Sequence, residues 1–127
     1  MDNPIKGILI DTENNQIKTV VIKNELHSYY KALNCTAIDI VRRPVEGRMY
    51  TFVIDDEGRL KERVIPSCIS MRGLELAGNV LIFNDNKLGD DQASLNNKDI
   101  ELILRNTITL EKIDDEDLKG RKVLVLS

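Results

Sequence analysis

The sequence predicts an α+β fold in which a mainly antiparallel sheet, built on hairpins, carries two short helices packed against it. Apolar residues alternate on either side of polar turns in 5–23 and in 36–60, as is typical of hairpins. Two further segments have apolar residues at helical spacing beside an asparagine suited to a helix terminus. The 127 residues are the usual size of one domain, so we expect 1–127 to form a single α+β domain. Within it, 107–127 is expected to form C-terminal strands or an extended arm.

The composition is that of a protein with a conventional core. Apolar residues make up 42% and charged residues 31% of the chain, which is far from the composition of disordered proteins. The net charge of −3 argues against a protein whose main task is to neutralise nucleic-acid phosphates. No apolar run approaches the roughly 20 residues of a membrane span, and the N-terminus lacks the pattern of a signal peptide. We therefore expect a cytoplasmic protein that does not bind membranes.

The N-terminal part of the chain predicts a hairpin followed by a short helix. Ile5 to Asp11 and Ile17 to Lys23 are β-rich runs separated by a polar cluster of good turn formers. Asn24 is expected to cap the helix, and Asn34 is expected to end it in the left-handed conformation. The predicted apolar stripe of this helix consists of Leu26, Tyr29, Tyr30 and Leu33.

The stretch from Thr36 to Leu60 predicts the central hairpin of the sheet. If residues 43–47 form the loop, alternation fixes which residues of the two strands face each other. The predicted pairs are Arg42 with Arg48, Ile40 with Tyr50, and Ile38 with Phe52. A second tight turn at Asp55 to Gly58 is expected to lead into a strand from Arg59 to Ile65, which Pro66 ends.

The second half of the chain begins with a segment punctuated by glycines. Ser67 to Gly78 is expected to be irregular, whereas Asn79 to Asn84 reads as a strand covered on both faces. A polar loop is expected at Asp85 to Ala93. The tail predicts short strands around Ile108 and at Val123 to Leu126, and the latter should be covered by this domain or by a second copy.

The second helix has the clearest start signal in the chain. Asn96 and Asp99 have the spacing of a capping box, and Leu95 and Ile100 occupy the two positions of a hydrophobic staple. We expect a helix that reaches about Asn106. Its predicted buried residues are Ile100, Ile103 and Leu104.

The chain from Val53 through Ile103 resembles a family of small domains of unknown function encoded by low-GC Gram-positive bacteria and by their phages and plasmids. The resemblance is carried by four features: DDEGRLKE at 55–62, the following Pro66, AGNVLIFN at 77–84, and SLNNKDIELI at 94–103. Similar proteins often have Asn-Arg-Ala-like residues after the equivalent of Leu60, where this chain differs. The resemblance implies an accessory role on a mobile element and transfers no site residue.

Three arginines and a tyrosine form the candidate ligand site. In the predicted register Arg42, Arg43 and Arg48 converge at one end of the hairpin, with Tyr50 one step inside. Guanidinium groups present a fork of donors that suits phosphate or carboxylate, and an aromatic ring can stack on a base or sugar. The alternative is that these are solvated arginines at a sheet edge. Their partners would then be Asp39, Glu46 or Glu57.

Other chemistry-bearing residues give weaker signals. Carboxylate oxygens that suit a hard cation are supplied by two acidic pairs, Asp55 with Asp56 and Asp90 with Asp91. A metal-dependent hydrolase that uses one of these pairs is therefore an alternative. Turn formation explains both acidic pairs more simply. His27 has no nucleophile in a recognisable setting, and the two cysteines, Cys35 and Cys68, lack CxxC spacing and are expected to be buried thiols. No catalytic residue, metal or cofactor is therefore assigned.

These observations favour a small binding protein without catalytic activity. We expect its partner to be a host protein or a small anionic ligand such as a nucleotide signal, and we expect the chain to form a homodimer. The alternatives are the hydrolase and a weak nucleic-acid binder that uses the arginines of the hairpin end.

Overall fold

Two helices and nine strands make up the described part of the chain. A computed structural model of the protein describes residues 4–57, 64–85, 93–111 and 118–127. In chain order the elements are β1 (Pro4–Asp11), β2 (Gln16–Lys23), α1 (Leu26–Leu33), β3 (Ile38–Val45), β4 (Arg48–Asp55), β5 (Pro66–Ser70), β6 (Gly73–Ala77), β7 (Val80–Asn84), α2 (Asn97–Leu104), β8 (Thr107–Thr109) and β9 (Lys122–Val125). The content is that of a sheet-rich α+β fold, as the sequence predicts.

A five-stranded antiparallel sheet with the order β2-β1-β7-β4-β3 forms the centre of the molecule. β7 is its middle strand, and Val80 through Phe83 are completely buried, which confirms the prediction of a strand covered on both faces. Gly7 of β1 lies beneath the ring of Phe83. A Cβ there would stand 2.6 Å from the Ile82 carbonyl oxygen, so only glycine allows this packing.

The two faces of this sheet are covered by different elements. Helix α1 covers one face, where Tyr29 and Leu33 pack with Leu81 and Phe83. A second sheet and α2 cover the other face, where they pack against Ile8, Phe52 and Ile82. The residues that these elements contribute are Cys68, Leu76, Ile103, Leu124 and Leu126. Because period-2 alternation sends neighbouring side chains to opposite faces, each strand of the first sheet serves both cores.

Helix α1 follows the prediction at its end and departs from it at its start. Asn34 takes the left-handed conformation, with φ 52°, and ends the helix as predicted. The N-cap is Glu25 instead of Asn24, and the Asn24 side chain accepts a hydrogen bond from the Tyr29 hydroxyl. Leu26, at the start of the predicted stripe, is 52% exposed. The first turn of α1 therefore projects beyond the edge of the core.

The predicted register of the central hairpin is wrong. Arg42 pairs with Thr51, and the strands are joined by a turn of two residues instead of five. Glu46 and Gly47 both have positive φ, 51° and 76°, which is the geometry of the type I′ turn that suits the twist of a hairpin. Pro44 lies within β3, which its position at the edge of the sheet permits. The turn is therefore shorter than predicted, and residues 43–45 belong to β3.

The segment from Ser67 to Gly78, expected to be irregular, is largely the β5–β6 hairpin. Pro66 begins β5 and does not end a strand, and Ser70 pairs with Gly73 across a two-residue turn. Gly73 has φ 106°, a conformation that glycine adopts without strain. Most of the strand predicted at Arg59 to Ile65, and Gly58 of the preceding turn, lie outside the described residues.

The C-terminal residues complete a second sheet with the order β6-β5-β9-β8. The prediction of two short C-terminal strands is confirmed, and β9 is internal, parallel to β5 and antiparallel to β8. Val123, Leu124 and Leu126 are buried against the rest of the chain. Coverage by a second copy, the alternative considered from the sequence, is therefore not required for this strand.

Helix α2 begins as predicted. The Asn96 side chain accepts from the Asp99 N–H at 2.8 Å, and the Asp99 carboxylate accepts from the Asn96 N–H at 3.3 Å, which is a complete capping box. The helix ends at Leu104, which is 38% exposed instead of buried. Across the described ranges, no helix has the length and apolar character needed to cross a bilayer.

Candidate functional site

The structure places Arg42 on the opposite sheet face from Arg43 and Arg48, which the sequence grouped with it. Arg43 pairs with Tyr50, on the sheet face that α2 and the second sheet cover, while Arg42 lies on the opposite face. Arg42 forms an ion pair with Asp85, and the Nε of Arg48 lies 3.4 Å from Oδ1 of Asp99. The two arginines therefore have acidic partners of their own. Neither partner is among the three that we considered from the sequence.

Tyr50 lies in the core and not at the rim. Its side chain is completely buried, and its hydroxyl donates to Oδ1 of Asp99 at 2.8 Å. The pKa of Tyr50 is raised above its ordinary value. Burial is the larger cause and the hydrogen bond to the Asp99 carboxylate is the second, so the phenol stays protonated. A ring in this position anchors α2 to the sheet and offers no face to a ligand from solvent.

Asp99 is the centre of this buried polar group. Its side chain is fully buried and accepts from Tyr50, from the Asn96 N–H and, at 3.3 Å, from the side-chain amide of Asn84. Arg48 adds a partly exposed positive charge above the same carboxylate. A buried carboxylate is tolerated when it is both paired and hydrogen-bonded, as here. The capping box revealed Asp99 in the sequence, but nothing local indicated its contacts with Tyr50 and Asn84.

A groove of about 490 Å³ lies where the two sheets meet. We call it the Arg43–Arg72 groove. Its lining residues come from β3, the β5–β6 hairpin and the C-terminal segment; they are Arg43, Pro44, Ser70, Met71, Arg72, Glu75, Leu126 and Ser127. The volume falls in the range of pockets that hold small ligands. Of the predicted site residues, this groove contains Arg43.

The C-terminal segment joins the two sheets beside this groove. The Leu126 N–H donates to the Ile69 carbonyl of β5 at 2.8 Å, and the Ser127 N–H donates to the Pro44 carbonyl of β3 at 3.1 Å. These bonds hold the walls of the groove at a fixed separation. The groove is therefore a product of tertiary structure, formed by residues more than 80 positions apart in the sequence.

The charged side chains that line the groove are two guanidinium groups, Arg43 and Arg72, and one carboxylate, Glu75. In the described ranges the ion pairs are Arg42–Asp85, Arg48–Asp99 and Arg105–Glu46, so neither Arg43 nor Arg72 is neutralised by a described ion pair. One Nη1 donor of Arg43 bonds to the Arg42 carbonyl at 2.8 Å, which leaves other donors of the fork. Arg72 is not among the predicted site residues, because the sequence predicts an irregular segment there. The one local signal is Gly73, which follows Met71-Arg72 and suits the end of a hairpin turn.

The remaining chemistry-bearing residues have structural surroundings. Cys68 is buried, and burial raises the pKa of its thiol to about 12, so it is protonated at neutral pH; Cys35 is half-buried. Asp55 is buried and accepts from the Glu57 N–H at 2.9 Å, as a turn residue does. Among the described residues, no three His, Cys, Asp or Glu side chains group as metal ligands would. Asp90 and Asp91 lie outside the described ranges, so the hydrolase alternative stays a prediction.

Comparison with known proteins identifies the family. A family model described as Domain of unknown function (DUF3846) matches residues 5–108. No curated protein and no solved structure matches the chain. The match extends on both sides of the segment from Val53 to Ile103 that carried the resemblance, and it includes β3, β4 and the β5–β6 hairpin of the groove. The chain therefore belongs to the DUF3846 family of domains of unknown function.

Proposed function

We propose that the protein is a small non-catalytic binding protein that holds a small anionic ligand, such as a nucleotide signal, in the Arg43–Arg72 groove. The observation that carries the proposal is the presence of two guanidinium groups, neither neutralised by a described ion pair, in a groove of ligand size. Arginine donors match the geometry of phosphate and carboxylate oxygens. The resemblance to proteins of phages and plasmids supports an accessory role on a mobile element.

An anionic ligand accounts for the groove better than a host protein does. The surface around Arg43 and Arg72 is concave and about 490 Å³ in volume, which suits a small molecule. Protein interfaces of ordinary affinity bury about 800 Å² on each partner, a much larger area than this groove offers. Capture of a host protein remains an alternative whose binding would be insensitive to the groove residues.

The test compares neighbouring arginines on opposite faces of β3. Isothermal titration calorimetry with ADP as the probe is expected to show binding that Arg43→Ala and Arg72→Ala each weaken about tenfold or more, which corresponds to about 1.4 kcal/mol. Arg42→Ala is the matched control, because Arg42 lies on the other face and pairs with Asp85. The affinity should also fall as salt is added, since the contacts are ionic.

Two outcomes would contradict the proposal. One is the absence of binding for ADP and for pyrophosphate at millimolar concentration. The other is an equal loss of affinity in the Arg42→Ala and Arg43→Ala proteins, because the groove would then have no special role.

A further inference from the structure

Two consecutive residues of the C-terminal segment bond to opposite walls of the Arg43–Arg72 groove. Leu126 is buried, and its N–H donates to the Ile69 carbonyl of β5 at 2.8 Å. The next N–H, that of Ser127, donates to the Pro44 carbonyl of β3 at 3.1 Å. Successive N–H groups of an extended chain point in opposite directions, which is why neighbouring residues reach different strands. Residues 126–127 therefore lie between β3 and the β5–β6 hairpin.

The Arg43 side chain bonds along the same edge of β3 that Ser127 contacts. Carbonyl groups two positions apart on a strand point to the same side, as those of Arg42 and Pro44 do. Nη1 of Arg43 donates to the first of these carbonyls at 2.8 Å, and the Ser127 N–H donates to the second. The guanidinium group and the C-terminal segment therefore use neighbouring acceptors. Movement of Ser127 away from Pro44 alters the surroundings of Arg43.

The bond from Ser127 to Pro44 is easily exchanged for a bond to water. Ser127 is exposed, so its N–H can be solvated when it leaves the Pro44 carbonyl. The net gain from one hydrogen bond between neutral groups is small, roughly two- to tenfold in an equilibrium constant. The anchored and released states of Ser127 are thus close in free energy. A ligand that binds more tightly to one of these states shifts the balance toward it.

We infer that residues 126–127 are positioning residues of the groove, and that anchoring of Ser127 to Pro44 and binding of an anion by Arg43 and Arg72 strengthen each other. This inference rests on the proposed function and adds a means by which ligand binding is coupled to the chain. An anion held by both guanidinium groups joins β3 to the β5–β6 hairpin, as residues 126–127 do. Because such coupling is reciprocal, the two equilibria are strengthened by the same factor.

Two substitutions at Ser127 separate its backbone donor from its side chain. Ser127→Pro removes the N–H, and proline is compatible with an extended residue before it, here Leu126. We expect this change to weaken pyrophosphate binding about fivefold in calorimetry, the effect of one lost hydrogen bond between neutral groups. Ser127→Ala keeps the N–H and should bind pyrophosphate as the natural chain does. Circular dichroism verifies that both variants are folded at the temperature of the titration.

Amide hydrogen exchange in the natural chain tests the reciprocal effect without a substitution. Saturating pyrophosphate should slow exchange of the Ser127 N–H about fivefold, as followed by NMR. The control is the Glu25 N–H, which donates to the Lys23 carbonyl at 2.9 Å. It lies at the start of α1, which covers the opposite face of the first sheet, so the ligand should leave its exchange unchanged. A Ser127 bond with a purely structural role would not respond to the ligand.

The outcomes distinguish this inference from the proposed function. If pyrophosphate binding depends on Arg43 and Arg72 but is unchanged in Ser127→Pro, the anion site stands and the positioning role is wrong. Ligand-independent exchange of the Ser127 N–H, or an equal loss of affinity in Ser127→Pro and Ser127→Ala, also overturns the inference. If the natural chain binds neither pyrophosphate nor ADP, both proposals are wrong.

Discussion

Asp99 illustrates how one residue can serve two structural purposes. It completes the capping box of α2, and the same carboxylate receives the Tyr50 hydroxyl and the Asn84 amide from the sheet below. The helix start is therefore joined directly to β4 and β7. A carboxylate at the N-terminus of a helix also interacts favourably with the helix dipole. The position of α2 on the sheet thus depends on a single buried side chain.

Replacement of Tyr50 by Phe is expected to destabilise the protein by about 1–3 kcal/mol, because it removes a hydrogen bond from a buried carboxylate. Tyr30→Phe is the matched control. Tyr30 is half-buried, and in the described part of the chain its hydroxyl makes no hydrogen bond, so its loss should cost less than about 0.5 kcal/mol. Urea unfolding followed by circular dichroism measures both. Equal midpoints for the two variants would show that the Tyr50–Asp99 bond adds no stability.

At the scale of elements, the β3–β4 turn is held by the end of α2. Both carboxylate oxygens of Glu46 accept from Arg105, at 2.6 and 3.1 Å, and the Asn106 side-chain amide donates to Glu46 at 2.5 Å. Glu46 has a positive φ of 51°, which is unfavourable for a side chain of this size. These contacts stabilise the turn conformation. They also connect the hairpin to the helix.

The stabilisation of this turn should depend on pH. The hydrogen bonds from Arg105 and Asn106 hold the pKa of Glu46 below its usual 4.5. The contribution is therefore fully present above the unfolded-state pKa and is lost as the pH falls through the lowered folded-state pKa. In urea unfolding between pH 7 and pH 3, the stability difference between the natural chain and Glu46→Gln should shrink below about pH 4.5.

Glu111→Gln supplies the control for this pH series. Glu111 is exposed, and it takes part in none of the ion pairs within the described residues. Its difference from the natural chain should stay small at every pH. A constant difference for Glu46→Gln across the series would count against an ionic role for Glu46.

The sequence predicted those elements whose signals are local. The β1–β2 hairpin, the buried β7 strand and the start of α2 each depend on alternation, a turn or a cap within a few residues. Two prolines lie where the sequence predicts no strand. Pro44 is predicted in a loop and Pro66 at the end of a strand, yet each lies in a strand. Proline is excluded only from strand positions whose N–H must donate to a neighbouring strand.

The candidate site was less predictable than the fold. The hairpin pattern predicts Arg43 as a site residue, but the predicted register also groups it with Arg42, which the structure places on the other face. Its actual neighbours, Arg72 and Leu126, come from another hairpin and from the C-terminal segment. No spacing in the sequence indicates a contact between residues so far apart. The contact depends on the parallel pairing of β5 with β9 within the second sheet.

At the scale of the whole molecule, β3 forms one edge of the first sheet. An exposed sheet edge presents backbone donors and acceptors that can pair with another strand. Here the Ile40 N–H donates to the Asp39 carboxylate at 2.9 Å, and the Arg42 carbonyl accepts from the Arg43 side chain. Two positions further on, Pro44 has no N–H, and its carbonyl accepts from Ser127. Local groups therefore occupy much of the edge.

Removal of one of these groups should allow β3 to pair with a strand of another copy of the chain. Asp39→Ala exposes the Ile40 N–H beside the Ile40 side chain, which is 48% exposed, so we expect larger species than the natural chain forms at equal concentration. Sedimentation velocity over a concentration series measures this, with Asp56→Ala, an exposed residue in the turn after β4, as the control. Identical sedimentation of all three proteins would mean that Asp39 does not protect β3. A homodimer stays a prediction; among the described strands, β2 is the other edge of the first sheet.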